Sequence, residues 1–330
     1  MTDVLILGGT GWLGGRIAER WLDAGASVTC LARGARPVPY GARLVEADRS
    51  ESGAYGAVTE RTWDEIVDVS SQPEHVDAAT AALAERTRHW TYVSSVSAYA
   101  ANDVPGADES ADLAVPLEPG EEDDYSRAKS ACEASVRNAL GHRAAILRPG
   151  LIVGPGDPTD RFGYWVARFA LAADEPVLVP AAPGAKIQVI DVDDLADFAV
   201  AVGRERWAGV ANAVGDPLPL QDLLALARAS AGHAGDVIVA EEDWLLAHDV
   251  TYWSGPRSLP LWLPGDMPGF ATRSNAVYRV LGGTVRPVRT TLERTLADER
   301  ERGLERPRSA GLTRGDERAL IETLSQHPSG

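Results

Sequence analysis

The chain has 330 residues, 45% of them hydrophobic, so it can bury a large core and is expected to hold two lobes. Its formal charge of −16 argues against nucleic acid, which demands clustered cations. With no cationic leader, no long apolar run and only two cysteines, Cys30 and Cys132, the sequence points to a cytoplasmic protein with no signal peptide, membrane span, disulfide framework or metal-ligand set.

In chain order, Val4-Leu-Ile-Leu7 reads as a short buried strand, Gly8-Gly-Thr10-Gly11-Trp12-Leu13-Gly14 as a turn, and Arg16 to Leu22 as an amphipathic helix. Glycines at 8, 11 and 14 permit a tight turn, close approach of backbone to a pyrophosphate, and close strand–helix packing. The following helix N-terminus offers free N–H groups and a positive dipole end to phosphates. This is a dinucleotide-binding pattern.

The second strand, Ser27 to Arg33, ends where NAD-binding chains usually carry an acid for the ribose 2′-hydroxyl. That slot is Ala32 here, with Arg33 next and Arg36 nearby. A guanidinium without a competing carboxylate suits a 2′-phosphate, so NADPH is expected, with NAD the lesser choice. Arg43 to Asp48 is a third strand, and Ile66 to Ser70 a fourth that passes under the cofactor. A fifth, His89-Trp-Thr-Tyr-Val, runs into the serine cluster Ser94, Ser95 and Ser97.

After an acidic, proline-bearing loop (residues 101–124) comes Tyr125-Ser-Arg-Ala-Lys129. Lys129 is one of two lysines in the chain. Positions i and i+4 share a helix face, so an ammonium is expected beside the phenol, favouring its ionised form and lowering its pKa. The pair would serve as a general acid/base near neutral pH. A sixth strand, Ala144 to Pro149, leads into Leu151-Ile-Val-Gly-Pro155. Lys186 to Asp191 is a returning strand with a helix after it, Ala211 to Val214 a last short strand, and a final helix starts near Thr313.

These features resemble the extended, epimerase/dehydratase-like branch of the short-chain dehydrogenase/reductase superfamily over nearly the whole chain. The resemblance implies an α/β fold: a Rossmann-type doubly wound parallel sheet with a smaller C-terminal substrate-binding lobe. The nucleotide domain would take residues 1–150 with 186–214, and the substrate lobe 151–185 with 215–330. Tyr125 would move a proton to or from the substrate oxygen, Lys129 would lower the tyrosine pKa and bond the nicotinamide ribose, and Ser95 would hold the carbonyl oxygen. Ser94 and Ser97 are weaker matches to that serine. Further cofactor contacts would come from Gly8, Thr10, Gly11, Trp12, Leu13, Gly14, Arg33, Ser70 and Pro149, with Asp48 on the adenine side. An asparagine that supports the proton relay in many relatives is missing from residues 74–83.

Many nucleotide-sugar members of the branch carry an asparagine where this chain has Leu151, and dehydratases carry an acidic pair where it has Val96 and Ser97. These departures point instead to an NADPH-dependent reductase of a small, partly apolar ketone or aldehyde. The alternatives are an epimerase or dehydratase of a sugar-type substrate, and a cofactor-binding regulator without turnover. Arg161 is placed to meet a carboxylate or polar head, with Phe162, Tyr164 and Trp165 walling an apolar cavity, and Ser97 beside them. Trp253 and Trp262 either close that pocket or pack the small lobe. Family members often dimerise through the catalytic helix, which leaves a homodimer open.

Overall fold

The computed structural model describes residues 2–326. Its first part alternates strand and helix: β1 (Asp3–Leu7), α1 (Trp12–Asp23), β2 (Ser27–Ala32), β3 (Arg43–Glu46), β4 (Glu65–Asp68), α2 (Pro73–Leu83), β5 (Trp90–Val93), α3 (Tyr125–Leu140) and β6 (Ala144–Pro149). A distant strand, β11 (Gly209–Ala213), completes a seven-stranded sheet in the order β11-β6-β5-β4-β1-β2-β3. Every pairing in it is parallel.

Strand β1 shows why the sheet is covered on both sides. Successive side chains of a strand point to opposite faces. Val4 and Ile6 pack with Ile17 and Trp21 of α1 and with Leu195 and Phe198 of α5 (Val192–Glu205). Leu5 and Leu7 pack on the other face with Val76 of α2 and Val136 of α3. The sequence is therefore apolar throughout the strand instead of alternating, as a doubly covered parallel sheet requires.

Between β6 and β11 lie β7 (Leu151–Val153), α4 (Arg161–Ala172), β8 (Val177–Pro180), β9 (Lys186–Ile187), β10 (Val189–Asp191) and α5. The returning strand read as one piece, 186–191, is thus split at Gln188. Its side chain leaves the ladder and bonds the Gly215 and Arg273 carbonyls, each at 2.8 Å, and the Arg273 amide at 2.9 Å. β9 pairs antiparallel with β12 (Leu218–Pro219), and β10 pairs parallel with β7.

The C-terminal elements are α6 (Leu220–Ala231), β13 (Val237–Ala240), α7 (Glu242–Ala247), β14 (Thr251–Trp253), β15 (Ser258–Pro260), α8 (Ala276–Val280), α9 (Val288–Arg302) and α10 (Arg314–Gln326). They build a second core with α4, in which Phe162, Trp165 and Phe169 meet Leu223, Leu292, Leu296 and Leu320. Among the described residues no helix is long and apolar enough to cross a membrane.

Candidate active site

β1 pairs with β2 on one side and β4 on the other, so the chain order reverses there and a crevice opens at the strand ends. Gly8 sits at that point with φ +95°, in the left-handed region that side chains resist. Its amide bonds Leu31 O and its carbonyl accepts from Gly11, both at 3.0 Å. A Cβ on Gly14 would lie 2.3 Å from Gly8 O, so the helix can pack this close to the turn only with glycine there. The resulting cleft, about 800 Å³, is lined by Gly8, Thr10, Gly11, Arg33, Asp48 and Ser70 among others. A dinucleotide fits this cradle: small backbone at its floor, a helix N-terminus at one end and cations at the rim.

Arg33 and Arg36 stand exposed on that rim, and among the described residues neither has a hydrogen-bond or ion-pair partner. Asp48 faces them. Its carboxylate accepts from Ser50 Oγ at 2.7 Å and Ser50 N at 3.0 Å, and these bonds, with a smaller contribution from Arg33, hold its pKa below the usual range. The other predicted contacts are arranged differently. Trp12 turns away, its indole donating to Pro155 O at 2.8 Å, Leu13 packs on the core, and Pro149 is buried in register with Ala213. None of the three lines the cleft. Sequence reasoning missed Arg49, which forks onto Asp68 at 2.7 and 2.8 Å and stiffens the cleft wall. Nothing in a lone Arg-Ser pair announces a partner 19 residues away.

Tyr125 opens α3, whose N-cap Asp124 accepts from the Arg127 amide at 3.0 Å. The residue is 53% exposed and its phenol is directed toward Ser95. Partial enclosure nevertheless raises its pKa, with the Ser95 hydroxyl and then the Arg161 charge pulling the other way. Lys129 is not the cation that acts on it. Its Nζ is buried, donating to Ser70 O and Val93 O at 2.9 Å and Tyr92 Oη at 3.2 Å, and burial pushes its pKa down to about 8. The expectation of an ammonium lowering the Tyr125 pKa is thus corrected. Three oxygens draw the lysine tip under the sheet edge. Ser95 caps the following turn, accepting from Ser97 N at 3.1 Å, while Ser94 is committed to Glu133 at 2.6 Å. Of the three serines, Ser94 alone is committed through its hydroxyl to a buried carboxylate, and Ser95 is the one that acts on the Tyr125 phenol.

Glu133 is a further residue that motif reading did not find. Fully buried one turn beyond Lys129, it accepts from Ser94, from Arg148 at 2.7 and 2.8 Å and from Arg137 at 3.0 Å. Burial would raise its pKa, but these donors hold it below the carboxylate range. It anchors α3 to β5 and β6 directly behind the reactive pair.

On the substrate side, the walls are not those expected. Tyr164 and Trp165 are 2% and 0% exposed and, with Phe162, belong to the second core. The Trp165 indole donates to Pro260 O at 2.8 Å. Helix α4 buries almost its whole circumference near its start, so aromatic spacing could not tell cavity from core. A small apolar hollow of about 10 Å³, room for one water, is instead lined by Val96, Leu151, Gln188, Trp253, Leu261 and Phe270. Trp253 therefore closes this hollow, whereas Trp262 is core. Arg161 does face the site: its guanidinium lies 5.0 Å from the Trp253 ring centroid, and its charge acts on Tyr125.

Residues 4–214 match the family model described as the NAD dependent epimerase/dehydratase family. The chain belongs to the NAD-dependent epimerase/dehydratase family. Its fold is that of solved members at low identity. One is an epimerase from Burkholderia cenocepacia, so described with reserve, at 20% identity, covering 91% of this chain and 98% of that one with a TM-score of 0.71. A UDP-glucose 4-epimerase gives 17%, 91%, 98% and 0.67. The UDP-glucuronic acid 4-epimerase from Bacillus cereus, in complex with NAD, gives 13%, 91%, 99% and 0.64. A comparison with curated proteins finds no match. Within this epimerase/dehydratase family, Leu151 and Val96-Ser97 are positions of this chain that line or flank the hollow.

Proposed function

We propose that this chain moves hydrogen reversibly at an alcohol or ketone carbon of a small substrate, with Tyr125 as the acid/base. The observation that carries the reading is the Tyr125 phenol near Ser95, one helical turn from Lys129, which bonds the carbonyl of Ser70 in the lining of a dinucleotide-sized cleft. A nicotinamide cofactor supplies the hydride chemistry when bound. Ser95 donates to the substrate oxygen and shares charge as it develops there. With its pKa raised, Tyr125 is protonated at neutral pH and acts as donor in the reducing direction. Lys129 fixes the Ser70 and Val93 backbone around the cofactor ribose position.

Family membership and the epimerases among the solved relatives favour turnover in which the substrate is oxidised and reduced again without net change of cofactor, on a sugar-type substrate. A second reading, net reduction of a partly apolar carbonyl compound with NADPH, is favoured by Leu151 in the hollow and by the unpaired Arg33 and Arg36. Net loss of absorbance at 340 nm during turnover separates the two. Tyr125→Phe is expected to lower kcat by about 10²-fold or more while leaving cofactor affinity within a factor of about two. Unchanged turnover would remove Tyr125 from the mechanism. Arg33→Ala should cut an NADP⁺ preference over NAD⁺ by about tenfold, near 1.4 kcal/mol; a ratio indifferent to the change would return the assignment to NAD.

A further inference from the structure

We infer that Arg161 receives a carboxylate of the substrate, which makes the substrate a keto or hydroxy acid whose anionic end lies beside its reacting oxygen. The inference rests on the reading of this site as an oxidation–reduction centre and narrows it to a substrate class.

The guanidinium is provided with a position but, among the described residues, with no carboxylate in direct contact. Its Nε makes one long bond, 3.3 Å to Thr159 Oγ1. Among the described residues its two terminal nitrogens have no hydrogen-bond partner, and no carboxylate lies within 4 Å of it. Of the acids adjacent in sequence, Asp160 is engaged elsewhere, and Asp157 acts on the guanidinium only at a distance, through the bridging Thr159 hydroxyl. Asp160 is bound by Arg306 and accepts the Ser309 amide at 2.9 Å, and Asp157 accepts the Thr159 amide at 2.8 Å and its hydroxyl at 3.0 Å. In a chain of formal charge −16, a half-buried arginine with no direct ion pair among the described residues, whose charge reaches the candidate acid/base, is a prepared anion receptor.

Its orientation is fixed as well. The Trp253 face lies against the guanidinium, and Trp253 packs edge-on to Phe270 at 5.4 Å. Stacking of this kind holds the planar fork by its face and leaves its edge for two parallel N–H···O bonds. Trp253 itself has φ +64°, and Leu261 across the hollow has φ +70°. Non-glycine residues in the left-handed region cost energy and gather at binding sites. One guanidinium edge with two free nitrogens matches the two oxygens of a carboxylate; a phosphate would bring a second negative charge without a second cation to meet it.

The test is calorimetric titration of the full chain, saturated with NAD⁺ or NADP⁺, with benzoylformate, phenylpyruvate and 4-oxo-4-phenylbutanoate, each against its methyl ester, and with phenyl phosphate. At least one acid should bind about tenfold or more tighter than its ester, Arg161→Met should erase that difference, and Arg161→Lys should restore part of it. Cofactor affinity serves as the check that each variant is folded. If no acid exceeds its ester, if Arg161→Met keeps the preference, or if phenyl phosphate binds more tightly than every acid, the carboxylate assignment is wrong. Tyr125→Phe separates this from failure of the parent reading, since it should retain the acid preference in binding whatever its turnover. Repeating the titrations without cofactor reads Arg161 even if no nicotinamide binds.

Discussion

Tyr125 and Lys129 share a helix face, but their polar atoms answer to different neighbours. The phenol meets Ser95 and the field of Arg161, while the ammonium is drawn under the sheet edge by three oxygens. The i, i+4 spacing was legible in the sequence; the competition for the lysine tip was not, because Ser70 and Val93 enter it through carbonyls that any residue carries. The depressed lysine pKa has a definite consequence for stability. Between about 8 and the ordinary 10.5 the unfolded chain binds more protons than the folded one, so this group's contribution to stability rises with pH across that window. The full gain is roughly 3 kcal/mol. Below pH 8 the cost of burying the charge is fully present. Urea unfolding at pH 7.5 and 9.5 should therefore show a rise in wild type that Lys129→Met lacks; equal slopes in the two proteins would mean that the buried lysine is not titrating.

At the scale of elements, the glycine turn shows sequence and structure agreeing for a physical reason. β1, the turn and α1 fall where the apolar run, glycine spacing and helical period place them, because each constraint there is local. Gly14→Ala should push Gly8 O and the turn apart, since the new Cβ would meet backbone at 2.3 Å. A cost of about 1–3 kcal/mol and a cofactor affinity reduced at least about tenfold are expected. Its neighbour supplies the control: a Cβ on Gly15 would lie 3.6 Å from Gly9 O, an ordinary contact, and alanine favours the helix by about 0.5–1 kcal/mol. Thermal melts and cofactor titrations of both variants decide the matter; equal behaviour would deny the turn its tight packing. The broken strand at Gln188 is the opposite case. Its partners, Gly215 and Arg273, lie 27 and 85 residues away, beyond any local pattern.

Across the whole molecule, the sheet core and the second core meet through charge as well as packing. α5, whose apolar face packs on the sheet, begins at Asp191, Asp193 and Asp194, and α9, whose apolar face packs in the second core, presents Thr291 and Arg294 to them, with Arg286 just before it. Asp191 is buried, accepting from Thr291 at 2.8 Å and Arg294 at 3.1 Å. Acids at a helix N-terminus are favourable in themselves, so the cluster serves both helix and contact. Asp191→Asn should cost about 2 kcal/mol, the usual worth of a charged hydrogen bond, read as a lower urea midpoint with unchanged slope. An unaltered midpoint would leave the two cores joined by apolar packing alone. The overall architecture was legible because strand–helix alternation has few solutions, whereas the substrate walls depended on which aromatics the second core absorbed. The burial of Lys129 also bears on handling. The chain has two lysines, and the other, Lys186, is exposed. Amine-directed reagents would thus find one side-chain target on the folded protein, a ready-made single tether for dyes or surfaces, and a second label would report that the fold had opened.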